Sequence, residues 1–175
     1  MYNSVEDNGD VYFVPSFSGL FSPHWDDSAR GKYLSNLGLI IGLSNLTKKG
    51  HIVRALYEAI SFRTSEIIKA ITQESKINLK SIKVDGGMTS SNELLQVQAD
   101  ISQIIVMKPK VNEITIIGAA IAAGLSSEAN IWKSLDELKS LIPLDKSFNC
   151  TWENSTVENK LSKWQKAINR AKDWV

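Results

Sequence analysis

The sequence predicts an α/β layered domain, with a mixed sheet carrying helices on its faces. Three observations point there. An aromatic and β-branched run at Val11–Phe17 and a continuous apolar run at Leu37–Leu43 come first. Helix-like and strand-like periods then alternate from Lys48 onward. The run Ile82–Val84 ends in Asp85-Gly86-Gly87 just ahead of a helix with its own start signal.

Residues 1–10 are polar and turn-rich, and read as a flexible entry to a domain spanning 11–175. Val11 to Phe17 form a strand ending near Pro15. Ser18 to Gly31 hold Gly19, Pro23 and Gly31 with the pair Asp26-Asp27, which makes this stretch a loop. Leu37 to Leu43 is a continuous apolar run between polar residues, the pattern of a strand buried on both faces.

A long helix follows from about Lys48 to Thr72. Ile52, Leu56, Ile60, Ile67 and Ile71 recur near helical spacing and define its expected core face. Arg54, Glu58, Ser65 and Lys69 fall on other faces. After the strand Ile82–Val84, Ser90 and Glu93 have the Ser-x-x-Glu spacing of a capping box. Leu94, Val97 and Ile101 then line one face of a second helix. Ile104 to Met107 read as a strand stopped at Pro109. Thr115 to Leu125 is rich in Gly, Ala and Ile, so this helix can approach a neighbour closely and is expected to be central. Leu135 to Leu141 form a short helix, and 143–153 read as irregular. Val157 to Trp174 form an amphipathic helix with Trp164, Ile168, Ala171 and Trp174 on one side.

Bulk properties exclude several function classes. At 175 residues the chain can bury a core without covalent staples. Its net charge of +1, with both signs well mixed, argues against nucleic acid or an anionic membrane as the main partner. Lys48-Lys49 reads as a solvated helix start. Cys150 is the single cysteine, so neither an intrachain disulfide nor a cysteine zinc cluster can form. His24 and His51 are the only histidines and lie far apart in sequence, a poor basis for a metal site. The N-terminus has no secretory signal pattern, and no apolar run is long enough to span a bilayer. The expected location is the cytoplasm.

The main chemical signal is Lys83-Val84-Asp85-Gly86-Gly87. A strand that ends in two glycines and feeds a helix leaves a crevice at the sheet edge. Glycine has no Cβ, so a flat ring or a ribose can rest against the backbone. The helix start offers unpaired amides and partial positive charge to phosphate oxygens. Taken alone, Asp-Gly-Gly is a weak motif and fits a tight turn that binds nothing better than it fits a ligand site. No Walker-type or Gly-x-Gly-x-x-Gly sequence accompanies it. Asp26-Asp27 with Arg30 fits an acid/base set or a loop ion pair. Glu58 with Arg54 fits an i,i+4 helix pair. Ser61, Thr64 and Ser65 have no histidine nearby in sequence to activate them. Trp164 and Trp174 fit a core or interface face better than a ligand platform.

Several segments taken together resemble one family. Val11-Tyr12-Phe13-Val14-Pro15-Ser16-Phe17-Ser18-Gly19-Leu20, Pro23-His24-Trp25-Asp26 and Ala29-Arg30-Gly31 are similar to a stretch of the FGGY carbohydrate kinases, and of the glycerol kinases among them. Ile41-Gly42-Leu43 and His51-Ile52-Val53-Arg54-Ala55 with Glu58 resemble that family's second signature region. Val84-Asp85-Gly86-Gly87-Met88-Thr89-Ser90 resembles its nucleotide-site motif. Gln96-Val97-Gln98-Ala99-Asp100-Ile101, Gly118-Ala119-Ala120 and Trp164-Gln165-Lys166-Ala167 continue the match in order.

That resemblance implies a ribonuclease-H-like, actin-type ATPase domain. It implies transfer of the ATP γ-phosphate to glycerol, giving glycerol 3-phosphate and ADP, with Mg²⁺. Gly87 would contact the nucleotide through its backbone and Gly86 would support the turn. Ser91 falls where the family has an asparagine, and Asn92 lies one place further on. The catalytic aspartate, the phosphate loop and the glycerol-binding residues belong to an upstream half. The isolated chain is therefore expected to be inactive, with no catalytic or metal-ligating residue of its own. Full-length members are expected to form homo-oligomers. Lys32 to Gly38 exceed the family spacing and would interrupt a strand of its pattern, either as a bulged loop or as an unspliced segment of the gene. A truncated nucleotide-binding or subunit-interaction module, and an FGGY kinase for another polyol or sugar, are the alternative readings.

Overall fold

The computed structural model describes residues 1–28, 38–111, 114–138 and 143–173. The order among these is β1 (Tyr12–Val14), β2 (Leu39–Ile41), α1 (Lys49–Ser75), β3 (Ser81–Lys83), α2 (Asn92–Ser102), β4 (Ile105–Pro109), α3 (Ile114–Gly124), β5 (Leu144–Phe148) and α4 (Asn154–Ala171). β1 and β2 pair antiparallel, with Tyr12 opposite Ile41. The second sheet has the order β3-β4-β5. Its central strand β4 runs parallel to β3 and antiparallel to β5.

α2 divides the apolar interior. Val97 and Ile101 enter the larger core with Tyr12, Val14, Ala59, Phe62, Trp164 and Ile168. Leu95 and Ala99 lie on the second sheet, against Val106, Ile82, Val84 and Phe148. Burying a large apolar side chain contributes about 1.5–3 kcal/mol, so this double contact fixes α2 and the turn that leads into it. α4 docks through Trp164, whose ring stacks on Phe62 at 5.1 Å between centroids.

Glu58 is buried at the foot of α1. Lys160 of α4 donates to its two oxygens at 2.9 and 3.1 Å, and to Asn8 Oδ1 at 3.2 Å. Burial pushes the Glu58 carboxyl above the usual range, an effect only partly offset by Lys160 and Arg54. Arg54 does not form the expected pair with Glu58. Its guanidinium lies 4.0 Å over the Tyr2 ring and donates to the Tyr2 carbonyl. Tyr2 in turn stacks on Tyr57. The first ten residues are thus in specific contact with α1.

Several expectations need correction. On α1 the residues turned inward are Ala55, Glu58, Ala59, Ser61, Phe62 and Ser65. The expected core face is open instead: Ile52, Leu56, Ile67 and Ile71 are 39–47% exposed. α3 is not central either, and Ile116 is 65% exposed. β2 is only half-buried, and among the described residues it pairs with β1 alone. The stretch read as irregular contains β5, and Leu135–Leu138 form a single 3-10 turn. Ala29-Arg30-Gly31, Lys32 to Leu37 and Trp174 lie outside the described residues.

Candidate functional site

β3 stops at Lys83, and the Val84 amide still reaches across to Met107 on β4 at 3.0 Å. The chain then turns at Gly86, whose φ of +94° is open to glycine and strained for other residues. A 3-10 turn follows over Gly87–Ser90. The Gly86 carbonyl accepts from both the Thr89 amide (3.0 Å) and the Thr89 hydroxyl (2.7 Å). Ser90 donates to the Gly87 carbonyl at 2.9 Å. These bonds lock the turn with its two glycine α-carbons facing outward. A Cβ built on Gly86 or Gly87 meets nothing within 4 Å.

The helix cap sits one residue later than the sequence spacing implies. Ser91, not Ser90, is the N-cap of α2, and its Oγ accepts from the Leu94 amide at 3.2 Å. The same hydroxyl donates to Glu93 Oε2 at 3.1 Å, with Tyr57 Oη at 3.4 Å. The Ser90 hydroxyl is used inside the preceding turn, which is why the cap shifts. Ser91 is therefore committed to the helix start beside the glycines. Asn92 is exposed in the first turn, where backbone amides lack intrahelical acceptors.

A cleft of about 210 Å³ adjoins the turn. It is lined by Lys83, Val84 and Asp85, with Pro109, Ile114 and Leu144. The last three come from β4, α3 and β5, and no local sequence signal marks them. They meet here because those elements end or begin at the same edge of the sheet.

The other sequence candidates serve the scaffold. Asp26 Oδ1 accepts from the Ser28 amide and hydroxyl, and Lys172 lies 3.3 Å from Oδ2. The Ser28 bonds, with smaller help from Lys172, hold the Asp26 carboxyl below its ordinary value. Arg30 lies outside the described residues. Thr64 donates to the Ile60 carbonyl, and Ser61 and Ser65 are buried on the inner face of α1. Trp164 is a core residue. Among the described residues no group of three or more His, Cys, Asp or Glu side chains is placed to hold a metal ion. None of the described helices is long and apolar enough to cross a membrane.

The family model for the FGGY family of carbohydrate kinases, C-terminal domain, matches residues 1–127. The glycerol kinase of Chloroflexus aggregans is 43% identical over 173 residues, covering 99% of this chain and 33% of the relative. That of Methylobacterium radiotolerans is 44% identical over 171 residues, covering 98% and 32%. The crystal structure of Plasmodium falciparum glycerol kinase with ADP superposes with a TM-score of 0.84 at 37% identity, over 97% of this chain and 32% of that one. A gluconate kinase from Lactobacillus acidophilus shares the fold at a TM-score of 0.65. The chain spans about a third of the length of the curated relatives it matches. The mixed sheet flanked by helices agrees with the expected actin-type ATPase architecture. The protein belongs to the FGGY family of carbohydrate kinases, in which it represents the C-terminal domain.

Proposed function

We propose that this chain supplies the nucleotide-side wall of an ATP-dependent glycerol kinase, which converts ATP and glycerol to ADP and glycerol 3-phosphate. The observation that carries the reading is the open Gly86–Gly87 turn, in a chain that superposes on a glycerol kinase crystallised with ADP. The turn suits an adenosine group for a steric reason. Two adjacent residues without side chains present flat backbone at the mouth of the sheet, and the bonds from Thr89 and Ser90 hold that backbone in place. Gly87 provides the contact surface, Gly86 the left-handed turn, and Ser91 with Asn92 the polar edge of the seat.

This chain's part in the reaction is to bind and orient the nucleotide. Positioning accounts for much of the rate of phosphoryl transfer. Mg²⁺, when bound with ATP, neutralises charge on the phosphates. Its ligands, the catalytic aspartate and the glycerol pocket belong to the rest of a full-length kinase. The cytoplasm as the location, and self-association of the full-length protein, are part of the same proposal.

A chimera tests it. This chain replaces the matching third of the Plasmodium falciparum glycerol kinase, and ADP release is followed with and without glycerol. The chimera is expected to consume ATP only when glycerol is present, and the 175-residue chain alone to consume none. A folded chimera without turnover, or turnover by the chain alone, contradicts the proposal.

A further inference from the structure

The turn that shapes the nucleotide seat has spent its hydroxyl protons on itself. Thr89 donates to the Gly86 carbonyl at 2.7 Å and Ser90 to the Gly87 carbonyl at 2.9 Å. Ser91 gives its one proton to Glu93 Oε2 at 3.1 Å and accepts from the Leu94 amide at 3.2 Å. The turn thus provides shape and little means of reading what rests on it. Asn92 is exposed beside it, but its amide carries donors and an acceptor, so it suits an amino and an oxo group alike. A further hydroxyl reaches this place from α1, that of Tyr57.

Tyr57 is half-buried on α1, which lies along α2. Its Oη stands 3.4 Å from Ser91 Oγ, its one hydrogen-bond partner among the described residues. The Ser91 proton is on Glu93, the shorter contact, so the proton between the two hydroxyls is the phenol's. The phenol oxygen is left with its acceptor lone pairs alone. Its position is set by the ring more than by that long contact. The ring stacks on Tyr2 with 5.3 Å between centroids and 24° between planes. Arg54 fastens Tyr2 in turn: its guanidinium lies 4.0 Å over the Tyr2 ring and donates to the Tyr2 carbonyl at 3.1 Å. A fixed acceptor therefore stands at the helix start that follows the two open glycines.

We propose that Tyr57 selects the base of the bound nucleotide, its Oη accepting from the exocyclic amine of adenine. A ring lying flat on the Gly86–Gly87 backbone turns its edge to the side chains around it, and the edge of adenine carries that amine as a donor. A 6-oxo purine presents an acceptor at the same place. To meet it the phenol must withdraw its proton from Ser91; otherwise two acceptors face one another unpaired. Shape then comes from the turn, and the choice between amino and oxo purines from the Arg54–Tyr2–Tyr57 stack. The inference rests on the proposed function for the presence of a nucleotide at this turn.

The test is isothermal titration calorimetry of the full 175-residue chain with ADP and with inosine diphosphate, which carries an oxo group in place of the amine. The wild type is expected to bind ADP about tenfold or more tightly than inosine diphosphate. Tyr57→Phe keeps the ring on Tyr2 and removes the oxygen. It is expected to lose about tenfold in ADP affinity, to bind inosine diphosphate as the wild type does, and to melt at the wild-type temperature. Equal wild-type affinity for the two nucleotides overturns the proposal without recourse to a variant. So does a Tyr57→Phe chain that keeps the preference, or that loses affinity for both nucleotides alike. In each of these cases ADP still binds the wild type, and the proposed function stands. A wild-type chain that binds neither nucleotide overturns both.

Discussion

The indole nitrogen of Trp164 donates to Glu66 Oε1 at 2.9 Å, tying α4 to α1. His24 Nε2 meets the same oxygen at 3.1 Å, and Arg63 holds the other oxygen while donating to the Phe21 and Ser22 carbonyls. One carboxylate thus joins the closing helix, the long helix and the loop after β1. A hydrogen bond to a charged group contributes about 1.5–3 kcal/mol. Trp164→Phe keeps much of the stack on Phe62 and removes the donor, so it is expected to cost about 2 kcal/mol. Urea denaturation checks this, and an unchanged midpoint means the bond is not a support.

Asp100 performs a similar service on the other flank. Its Oδ1 accepts from the Thr151 amide and hydroxyl, from the Trp152 amide at 3.4 Å and from Gln96 at 3.1 Å. This holds the approach to α4 against α2. Asp100→Ala takes the shared acceptor from the Thr151 and Trp152 donors and is expected to cost about 3 kcal/mol. Asp100→Asn keeps an oxygen in place and should cost less. Equal losses in the two variants would show that the carboxylate's acceptors are not what matters.

Alkaline stability should depend on Tyr12. Burial, reinforced by the Glu58 charge, raises its phenol well above the ordinary value of 10.0, and the bond with Asn8 offsets this only in part. In the window above pH 10.0 the unfolded chain ionises Tyr12 while the folded chain keeps the proton. The unfolded state then holds fewer protons, so stability is complete below that pH and falls as pH rises through the folded value. Tyr2 adds to the same trend. Melting curves of Tyr12→Phe between about pH 9 and 11 should decline less steeply than wild type. Parallel declines would remove Tyr12 as the cause.

Local chemistry was readable in the sequence, and its tertiary use was less so. Short apolar runs rich in β-branched residues marked β1 and β4, and the Gly86-Gly87 turn ahead of α2 was visible as punctuation. The cap moved from Ser90 to Ser91 because an intervening 3-10 turn took up the Ser90 hydroxyl. The apolar periodicity of α1 was real, but Ile52, Leu56, Ile67 and Ile71 lie on its exposed side. Apart from Phe62, its core face is built from small and polar residues that pattern alone does not reveal. Ser61 and Ser65 pack closely there, and Glu58 is buried because Lys160, 102 residues away, reaches it. The small residues of α3 suggested a central helix, yet of that helix only Gly124 is buried. Pro109, Ile114 and Leu144 could not be assigned to a cleft from spacing, since only the fold brings them to Lys83–Asp85.

The glycines of the turn should differ in how they respond to substitution. Gly86 carries the left-handed φ, so Gly86→Ala introduces strain of about 1–2 kcal/mol and is expected to lower stability. Gly87 has open space around it, so Gly87→Val should fold normally and affect only what rests on the turn. A thermal melt of Gly87→Val below that of Gly86→Ala would reverse this assignment.

The most direct measurement is an ADP titration of the chain, followed by amide resonances in a heteronuclear NMR spectrum. The account predicts saturable shifts centred on Gly86, Gly87 and Ser91, lost in Gly87→Val while the rest of the spectrum is kept. Shifts centred elsewhere, or an unaltered response in Gly87→Val, would contradict it.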